Sequence, residues 1–231
     1  MRHRRTATTS LTALAAATAL LLTGCGGGDD GGGDKADNIE GAGNDKKPAK
    51  SSSPSSPTKN AGSDFGTSDI KLPSDLKLTF DWKRPSDPEK AGALDGAADY
   101  MRALMHGTTS QNPKDPLIGK HSVPLQSAQK YATSTVKMDV EDKFTVTGEE
   151  RYYREKVGDV ANGKLAQVTF CSNQSKLFSK EVKSGKVLRS KPSDESYLHF
   201  TLVMQKPSKA GEPWPARSFD LKSKAVDQCK S

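Results

Sequence analysis

The stretch that decides the fold is residues 151–172, RYYREKVGDVANGKLAQVTFCS. Two extended segments, 151–160 and 164–172, flank Ala161-Asn162-Gly163. An Asn-Gly pair between extended segments is the strongest short-range indication of a β-hairpin, because both residues readily take the left-handed backbone that a tight turn needs. The sequence therefore predicts a long antiparallel hairpin in the second half of the chain.

The residues after this hairpin extend it into an antiparallel meander. Ser184-Gly185 predicts a second turn, between 177–183 and 186–188. Residues 196–205 alternate, which places four apolar side chains on one face of a strand: Leu198, Phe200, Leu202 and Met204. A loop over 206–213 and a final strand over 214–229 complete the predicted sheet.

The residues before the hairpin favour helices. Asp87-Pro88-Glu89 supplies an N-cap, a proline suited to the first turn and an acid at the positive end of the helix dipole. Apolar residues then recur at helical spacing, which predicts a helix over 88–106 that ends at Gly107. Within it, Gly92 and Gly96 allow another element to approach closely.

Prolines break regular structure over 107–124, and a second helix is predicted over about 127–136. Helices followed by a meander indicate an α+β fold, in which N-terminal helices pack on one face of a curved antiparallel sheet. Residues 69–231 have this patterning, and their length is typical of a single globular domain.

This order resembles the NTF2-like, cystatin-like α+β cone of small secreted actinobacterial proteins. The residues that carry the resemblance are the helix over 88–106, the Asn162-Gly163 hairpin, Cys171-Ser172-Asn173-Gln174-Ser175 and the terminal strand ending at Cys229. Related exported domains have a Cys-x-(Asp/Asn)-x-Ser run at this place, and Trp214-Pro215 approximates their final-strand tryptophan. The resemblance implies a cone-shaped pocket between sheet and helices, but no activity, since this fold hosts enzymes and binding modules alike.

The first 24 residues have the order of a bacterial export signal. Met1-Arg2-His3-Arg4-Arg5 is cationic, and residues 11–22 are apolar or small, a run too short for the ~20 apolar residues of a membrane-spanning helix. Leu22-Thr23-Gly24-Cys25 comes next and resembles the bacterial lipobox. That resemblance implies cleavage after Gly24 and a diacylglyceryl group on Cys25, which would hold the protein on the outer face of the cell membrane.

Residues 25–68 differ sharply in composition from the C-terminal part of the chain. Gly, Ser, Pro, Asp and Lys dominate, and Ile39 is the only large apolar residue over 26–63. Such a stretch cannot bury enough apolar surface to offset its ordering entropy, so a disordered linker is predicted. About 40 residues of this kind have a root-mean-square reach of roughly 35 Å, which suits a tether behind the lipidated cysteine.

The three cysteines divide into an anchor and a pair. Lipidation uses Cys25, which leaves Cys171 and Cys229 in the globular part. Exported domains meet oxidising conditions, so these two are predicted to form a disulfide, and the long enclosed loop makes its contribution about 4 kcal/mol.

Charge and composition exclude a nucleic-acid partner. The formal charge of the chain is +7, and three of those charges, Arg2, Arg4 and Arg5, leave with the signal. No arginine-rich helix or aromatic-interleaved basic strand is present. The predicted partners are the membrane, through the lipid anchor, and an envelope protein or a small ligand; attraction to anionic lipids or wall polymers would be unspecific.

The three histidines beyond the signal give no catalytic set. His106 lies at the predicted helix end, where a cation suits the dipole, and His121 lies in the proline-broken loop, where solvent surrounds it. His199 is the strongest functional candidate, but its polar neighbours along the strand place it in solvent or on the outer side of the sheet. Of the Tyr152-Tyr153 pair, one ring is expected in the core.

The pairs of adjacent carboxylates do not supply a catalytic set either. Glu149-Glu150 and Asp194-Glu195 are adjacent pairs whose members point to opposite faces of a strand, so both are predicted to be solvated rather than an acid–base couple. The HExxH and GxSxG patterns and a phosphate-binding glycine loop are absent from the sequence. No catalytic residue, metal site or cofactor is predicted.

Three functions remain open. The favoured one is a non-catalytic binding or interaction module of the cell envelope, because a lipid tether accompanies a fold without a visible catalytic set. An enzyme of the isomerase or dehydratase type would need His199 or a carboxylate to point into the cone with a shifted pKa. A structural envelope protein without a small ligand is the third.

Overall fold

The computed structural model describes residues 68–230. The export signal over 1–24, the lipidation site Cys25 and the linker predicted over 25–68, apart from its last residue, lie outside the described residues. No helix in the described part is long and apolar enough to cross a membrane. In chain order the elements are β1 (Leu76–Asp81), α1 (Pro88–Ser110), α2 (Pro116–His121), α3 (Ser127–Asp142), β2 (Phe144–Val157), β3 (Leu165–Glu181), β4 (Val187–Leu188), β5 (Tyr197–Gln205), β6 (Ala216–Lys222) and α4 (Val226–Cys229).

The strands form one curved, open sheet in the order β1-β2-β3-β5-β6, with β4 paired to β3. From β2 onward all pairings are antiparallel, and the predicted Asn162-Gly163 hairpin joins β2 to β3. Both turn residues have positive φ, 53° and 62°, as this turn requires. The mixed α+β class is therefore confirmed.

One edge of the sheet departs from the antiparallel prediction. Strand β1, which precedes the helices, pairs with β2 in parallel, with Leu76 opposite Gly148. Parallel neighbours need a long crossover, and the three helices supply it. The alternation of Leu76, Leu78 and Phe80 was the available signal for this strand.

Two bulges change which side chains of β2 face inward. The register between β2 and β3 shifts between Glu149 and Arg151, and again between Tyr153 and Lys156. Thr145 and Thr147 are buried before the first bulge, and Glu150 and Tyr152 after it. At the first shift the extra residue lies on β3, because the step from Glu149 to Arg151 on β2 faces the longer step from Lys176 to Asn173 on β3. The inward alternation of β2 changes phase beside this shift, next to Gly148 with its φ of 103°, so Glu150 turns to the core and Glu149 to the outside.

Helix α1 begins as predicted but runs beyond Gly107. The Asp87 carboxylate accepts hydrogen bonds from the backbone N–H groups of Glu89 and Lys90, and the helix ends at Ser110 with Gln111 in the left-handed region. Gly107 is an interior position: a Cβ atom there would lie 2.9 Å from Ile118 and 3.0 Å from Val136. This glycine therefore serves helix packing, not helix termination.

The close approach predicted at Gly92 and Gly96 is confirmed. Trp214 lies against both glycines, and a Cβ atom on Gly96 would be 2.3 Å from the Trp214 carbonyl oxygen. The segment before β6 is thus pressed directly onto the backbone of α1.

The remaining helices correct the sequence-based prediction in two places. The proline-rich stretch contains a short helix, α2, capped by the Asp115 carboxylate on the backbone N–H of Leu117. Helix α3 begins at Ser127 as predicted and extends to Asp142. Its Tyr131 ring stacks on Phe219 of β6, with ring centroids 4.0 Å apart.

The predicted final strand over 214–229 is wrong in its second half. Strand β6 ends at Lys222, Lys224 takes a positive φ of 53°, and Val226–Cys229 forms the short helix α4. This turn carries the C-terminal residues to the outer face of the sheet. There a disulfide joins Cys229 to Cys171 of β3.

Candidate functional site

The inner face of the sheet is covered by aromatic side chains that pack on one another. Phe80 stacks on Tyr152 at 4.7 Å between ring centroids, and Phe170 contacts Trp82 and Phe200 at 5.0 Å each. Tyr152, Phe170 and Phe200 are each at most 2% exposed. Side chains therefore fill the space between sheet and helices in this part of the domain.

One carboxylate lies inside this apolar packing. Glu150 of β2 is fully buried, and its Oε1 atom accepts hydrogen bonds from Ser172 Oγ at 2.7 Å and from Gln174 Nε2 at 2.9 Å. Burial raises the pKa of Glu150, and the hydrogen bonds from Gln174 and Ser172 oppose that shift. The group is a buried acid held by two neutral donors.

A phenol accompanies this acid. Tyr152 lies two residues later on the same face, and neither its hydroxyl nor Oε2 of Glu150 makes a hydrogen bond of normal geometry in the described part of the chain. Burial and the nearby Glu150 charge raise the pKa of Tyr152 well above its ordinary value. The Glu150 carboxyl and the Tyr152 hydroxyl interact with each other, and chemically the pair can hold a proton.

A buried cation lies near this pair. The Arg102 guanidinium is 4.5 Å from the centre of the Phe80 ring and donates to Asp99 Oδ1 at 3.0 Å. Its charge opposes the upward shift in the pKa of Tyr152. Glu150, Tyr152 and Arg102 form the interior polar cluster, the candidate site that the geometry supports best.

Sequence reasoning missed this cluster because it treated Glu149 and Glu150 alike. Glu149 is at the surface, where it lies 3.8 Å from Lys77 and 3.9 Å from Lys176. The prediction of a solvated carboxylate is wrong for Glu150, whose inward direction depends on the bulge. Strand alternation with Tyr152, the ring expected in the core and found there, was the one available signal.

The other predicted pair is a surface feature. Asp194 and Glu195 lie in a single 3-10 turn, Asp194–Ser196, and Glu195 forms an ion pair with Lys224 at 2.8 Å.

The first histidine has a different role from the one predicted. Helix α1 continues past His106, so the helix dipole does not explain it. Its Nδ1 atom lies 2.6 Å from Oδ2 of the buried Asp115, the residue that also caps α2. His106 thus ties the end of α1 to the start of α2.

His121 is buried, although the sequence placed it in solvent. It is 3% exposed at the end of α2, its Nδ1 atom has no hydrogen-bond partner within residues 68–230, and burial lowers the pKa of His121. The unpredicted helix α2 is the reason for this burial.

His199 lies on the outer face of the sheet, as the sequence predicted. It stands opposite Cys171 on β3 and Lys222 on β6. Partial burial and the Lys222 charge lower the pKa of His199. Because it is on the face opposite Glu150, the two cannot act on one substrate.

The C-terminal residues close part of that outer face. The Tyr153 hydroxyl donates to the Cys229 carbonyl at 2.5 Å, and Arg154 donates to the Gln228 carbonyl at 2.7 Å. Together with the disulfide these contacts fix α4 against β2 and β3. Cys171 and Cys229 are both buried, which suits a structural bond.

A groove of about 600 Å³ lies at the tip of the β2–β3 hairpin. It is lined by the turn residues and by the ends of β5 and β6, among them Lys164, Lys206 and Arg217. Lys206 is paired with Glu89, and Arg217 donates to Gln205 Oε1 at 3.0 Å. The groove is basic and lies outside the interior polar cluster.

Within residues 68–230, no group of three or more His, Cys, Asp or Glu side chains could hold a metal ion. The interior polar cluster has a single carboxylate, and its other members are a phenol and a guanidinium. The chemistry that this arrangement can support is proton holding and hydrogen bonding.

No protein-family model matches the chain, and no curated protein matches it. A ketosteroid isomerase-like protein from Erwinia carotovora atroseptica is 12% identical, with 59% of this chain and 97% of that chain covered and a TM-score of 0.37. A candidate ketosteroid isomerase from Shewanella frigidimarina is 17% identical, with 57% and 94% covered and a TM-score of 0.31.

Proposed function

We propose that this protein is a lipid-anchored module of the outer face of the cell membrane that binds or contacts envelope components without catalysis. The observation that carries the non-catalytic part is the aromatic packing on the inner face of the sheet. Tyr152, Phe170 and Phe200 occupy the space where a cone of this architecture would hold a small ligand. A domain with a filled interior meets its partners at its surface.

The anchor rests on the sequence. Leu22-Thr23-Gly24-Cys25 resembles a lipobox, and the composition of 25–68 favours a disordered tether. The disulfide between Cys171 and Cys229 is compatible with an oxidising, extracytoplasmic compartment.

We also propose that the domain is an NTF2-like cone. The support is its own topology: a long helix, α1, packs across a curved sheet whose centre is the β2–β3 hairpin. The parallel strand β1 is an addition at one edge of that plan.

The anchor is tested with Cys25→Ser. With membranes washed at high salt, which screens contacts between exposed charges, the native chain should fractionate with membranes and carry a diacylglyceryl group on its mature first residue, and the variant should be released in soluble form. A single acyl chain binds membranes only marginally, whereas two or more hold a protein stably, so the shift should be nearly complete. A native mature chain that begins elsewhere and carries no lipid would contradict the proposal.

The interior polar cluster favours a second candidate, proton-transfer chemistry of the isomerase or dehydratase type. The specific observation is a buried acid beside a phenol, with the pKa of each raised by burial. The two candidate functions differ in whether a small molecule can reach Glu150. If the second is right, a small neutral phenol should bind beside Glu150 and shift the Tyr152 ring signals in an NMR spectrum, and Glu150→Gln should weaken that binding.

A further inference from the structure

One surface segment, residues 176–191, combines high positive charge with exposed apolar side chains; we name it the basic arm. It comprises the end of β3, the Ser184-Gly185 turn, β4 and the three residues after it. Six basic residues lie in these 16 positions: Lys176, Lys180, Lys183, Lys186, Arg189 and Lys191. Glu181 is the only acidic one.

The arm extends past the main sheet. Strand β5 pairs with β3 only as far as Asn173, opposite Tyr197, so the last residues of β3 have β2 on one side and the two residues of β4 on the other. The turn itself is well fixed. The backbone N–H of Gly185 donates to the Glu181 carbonyl, and the backbone N–H of Lys186 donates to Ser184 Oγ. The Ser184 hydroxyl in turn donates to the Glu181 carboxylate at 2.7 Å.

Most of the charge on the arm is not neutralised by the domain. Lys180 pairs with Asp75 at 2.6 Å, and Lys176 lies 3.9 Å from Glu149. For the other four basic side chains, no carboxylate of the described residues lies within 4.0 Å: Lys183 and Lys186 flank the turn, and Arg189 and Lys191 follow β4.

The arm also exposes two large apolar side chains. Val182 is 47% exposed and Leu188 is 38% exposed. Along the chain, Val182 precedes Lys183 at the turn, and Leu188 precedes Arg189 at the end of β4. Arg189 keeps its guanidinium 5.0 Å from the centre of the Phe178 ring.

We infer that the basic arm docks on an anionic lipid bilayer, with its lysines among the headgroups and Val182 and Leu188 at the acyl boundary. The cations of the arm complement the anionic headgroups of such a bilayer, and its exposed apolar side chains complement the acyl chains. A soluble polyanion would satisfy the lysines only, and it would leave Val182 and Leu188 without a complementary partner. The inference is separate from the Cys25 anchor, although the tether would keep the arm close to a membrane.

The test uses the secreted Cys25→Ser chain, which has no lipid of its own, and phosphatidylcholine vesicles with and without phosphatidylglycerol. Partition into the anionic vesicles should be strong at low salt and should fall as salt is raised. Replacing Lys183, Lys186 and Lys191 with Gln should weaken it about 100-fold, since each cation near an anionic surface contributes about fivefold. The pair Val182→Ser and Leu188→Ser should weaken it about tenfold.

A matched triple variant serves as the control. Lys71, Lys114 and Lys130 are exposed lysines elsewhere on the domain, without an ion pair among the described residues. Their replacement with Gln removes the same charge and should change partition by less than about threefold. Thermal melting of each variant checks that the domain stays folded.

Three results would overturn the inference. The first is an equal loss of vesicle binding in the control triple. The second is unchanged vesicle binding in the Val182/Leu188 pair together with full competition by soluble polyphosphate. The third is equal binding to uncharged and anionic vesicles. Because the chain used carries Cys25→Ser, failure of vesicle binding would leave the lipid anchor standing. Likewise, a native chain that carries no lipid on Cys25 would leave the proposed docking of the basic arm standing.

Discussion

At the scale of single residues, Glu150 is the most consequential side chain of the interior. It is a fully buried acid whose charge is opposed by apolar rings and supported by two neutral hydrogen bonds. Burying a carboxylate without a cationic partner favours its protonated form. This group should therefore contribute to the pH dependence of the stability of the domain.

Glu150→Gln tests that dependence. Because burial raises the pKa of Glu150 in the folded state, the folded chain binds the proton more tightly than the unfolded chain does. Stability from this group is present at low pH and is lost as pH rises from the unfolded pKa of about 4.3 through the raised folded value. Relative to the native chain, the free energy of unfolding of Glu150→Gln should thus rise as the pH is raised from 4 to 8.

Chemical unfolding across that pH range measures the gain. The adjacent Glu149→Gln is the matched control, since that side chain lies among surface lysines, and this variant should keep the pH dependence of the native chain. A constant difference between Glu150→Gln and the native chain at every pH would show that Glu150 does not change its protonation on folding.

At the scale of elements, local signals predicted the turns and helix starts and failed where tertiary contacts decide. The Asn162-Gly163 and Ser184-Gly185 turns and the Asp87 cap depend on neighbouring residues only, and all three are present. The end of α1 depends on whether Ile118 and Val136 pack against Gly107, which no local pattern records. Gly107 was therefore misread as a helix end.

The interior polar cluster escaped prediction for a related reason. Which way Glu150 points depends on a bulge, and a bulge depends on the pairing with the partner strand, here β3, whose Lys176 backbone comes close to Gly148 of β2. By contrast, the inward face of β5 was predicted from strict alternation and is buried throughout. Sequence periodicity predicts which side chains of a strand face inward, as long as no bulge interrupts the pairing of that strand with its neighbour.

The contact between α1 and the segment before β6 gives a prediction at this scale. In Gly96→Ala the new methyl group would lie 2.3 Å from the Trp214 carbonyl oxygen and 2.8 Å from its Cβ atom, so a rigid backbone must move. Overpacking of this kind destabilises by about 1–3 kcal/mol, and thermal or chemical unfolding measures it.

Gly119→Ala is the control for that change. Gly119 lies within α2 and has no neighbouring atom within 4 Å of an added Cβ. Alanine there should be neutral or should stabilise by up to about 1 kcal/mol, through helix propensity and a less flexible unfolded chain. If the two variants lost equal stability, the close packing of Trp214 on α1 would be disproved.

At the scale of the whole molecule, the proposed anchor lies outside the described residues, and the described domain packs aromatic side chains on the inner face of its sheet. The tether and Cys25 rest on the sequence, and the domain supplies surfaces: the basic arm, the groove at the hairpin tip and the disulfide-pinned outer face. A pocket enzyme would instead need an interior that a substrate can reach. The state of that interior is thus the claim on which the functional proposal depends.

Xenon uptake by the native domain, detected by xenon NMR or in crystals under xenon pressure, measures that state most directly. Leu202→Ala is the positive control, because truncating a fully buried leucine leaves an apolar cavity that takes up such a probe. We expect no xenon on the inner face of the native sheet and one bound site in the variant. Xenon bound beside Phe170 or Glu150 in the native domain would contradict the filled interior and favour a ligand-binding cone.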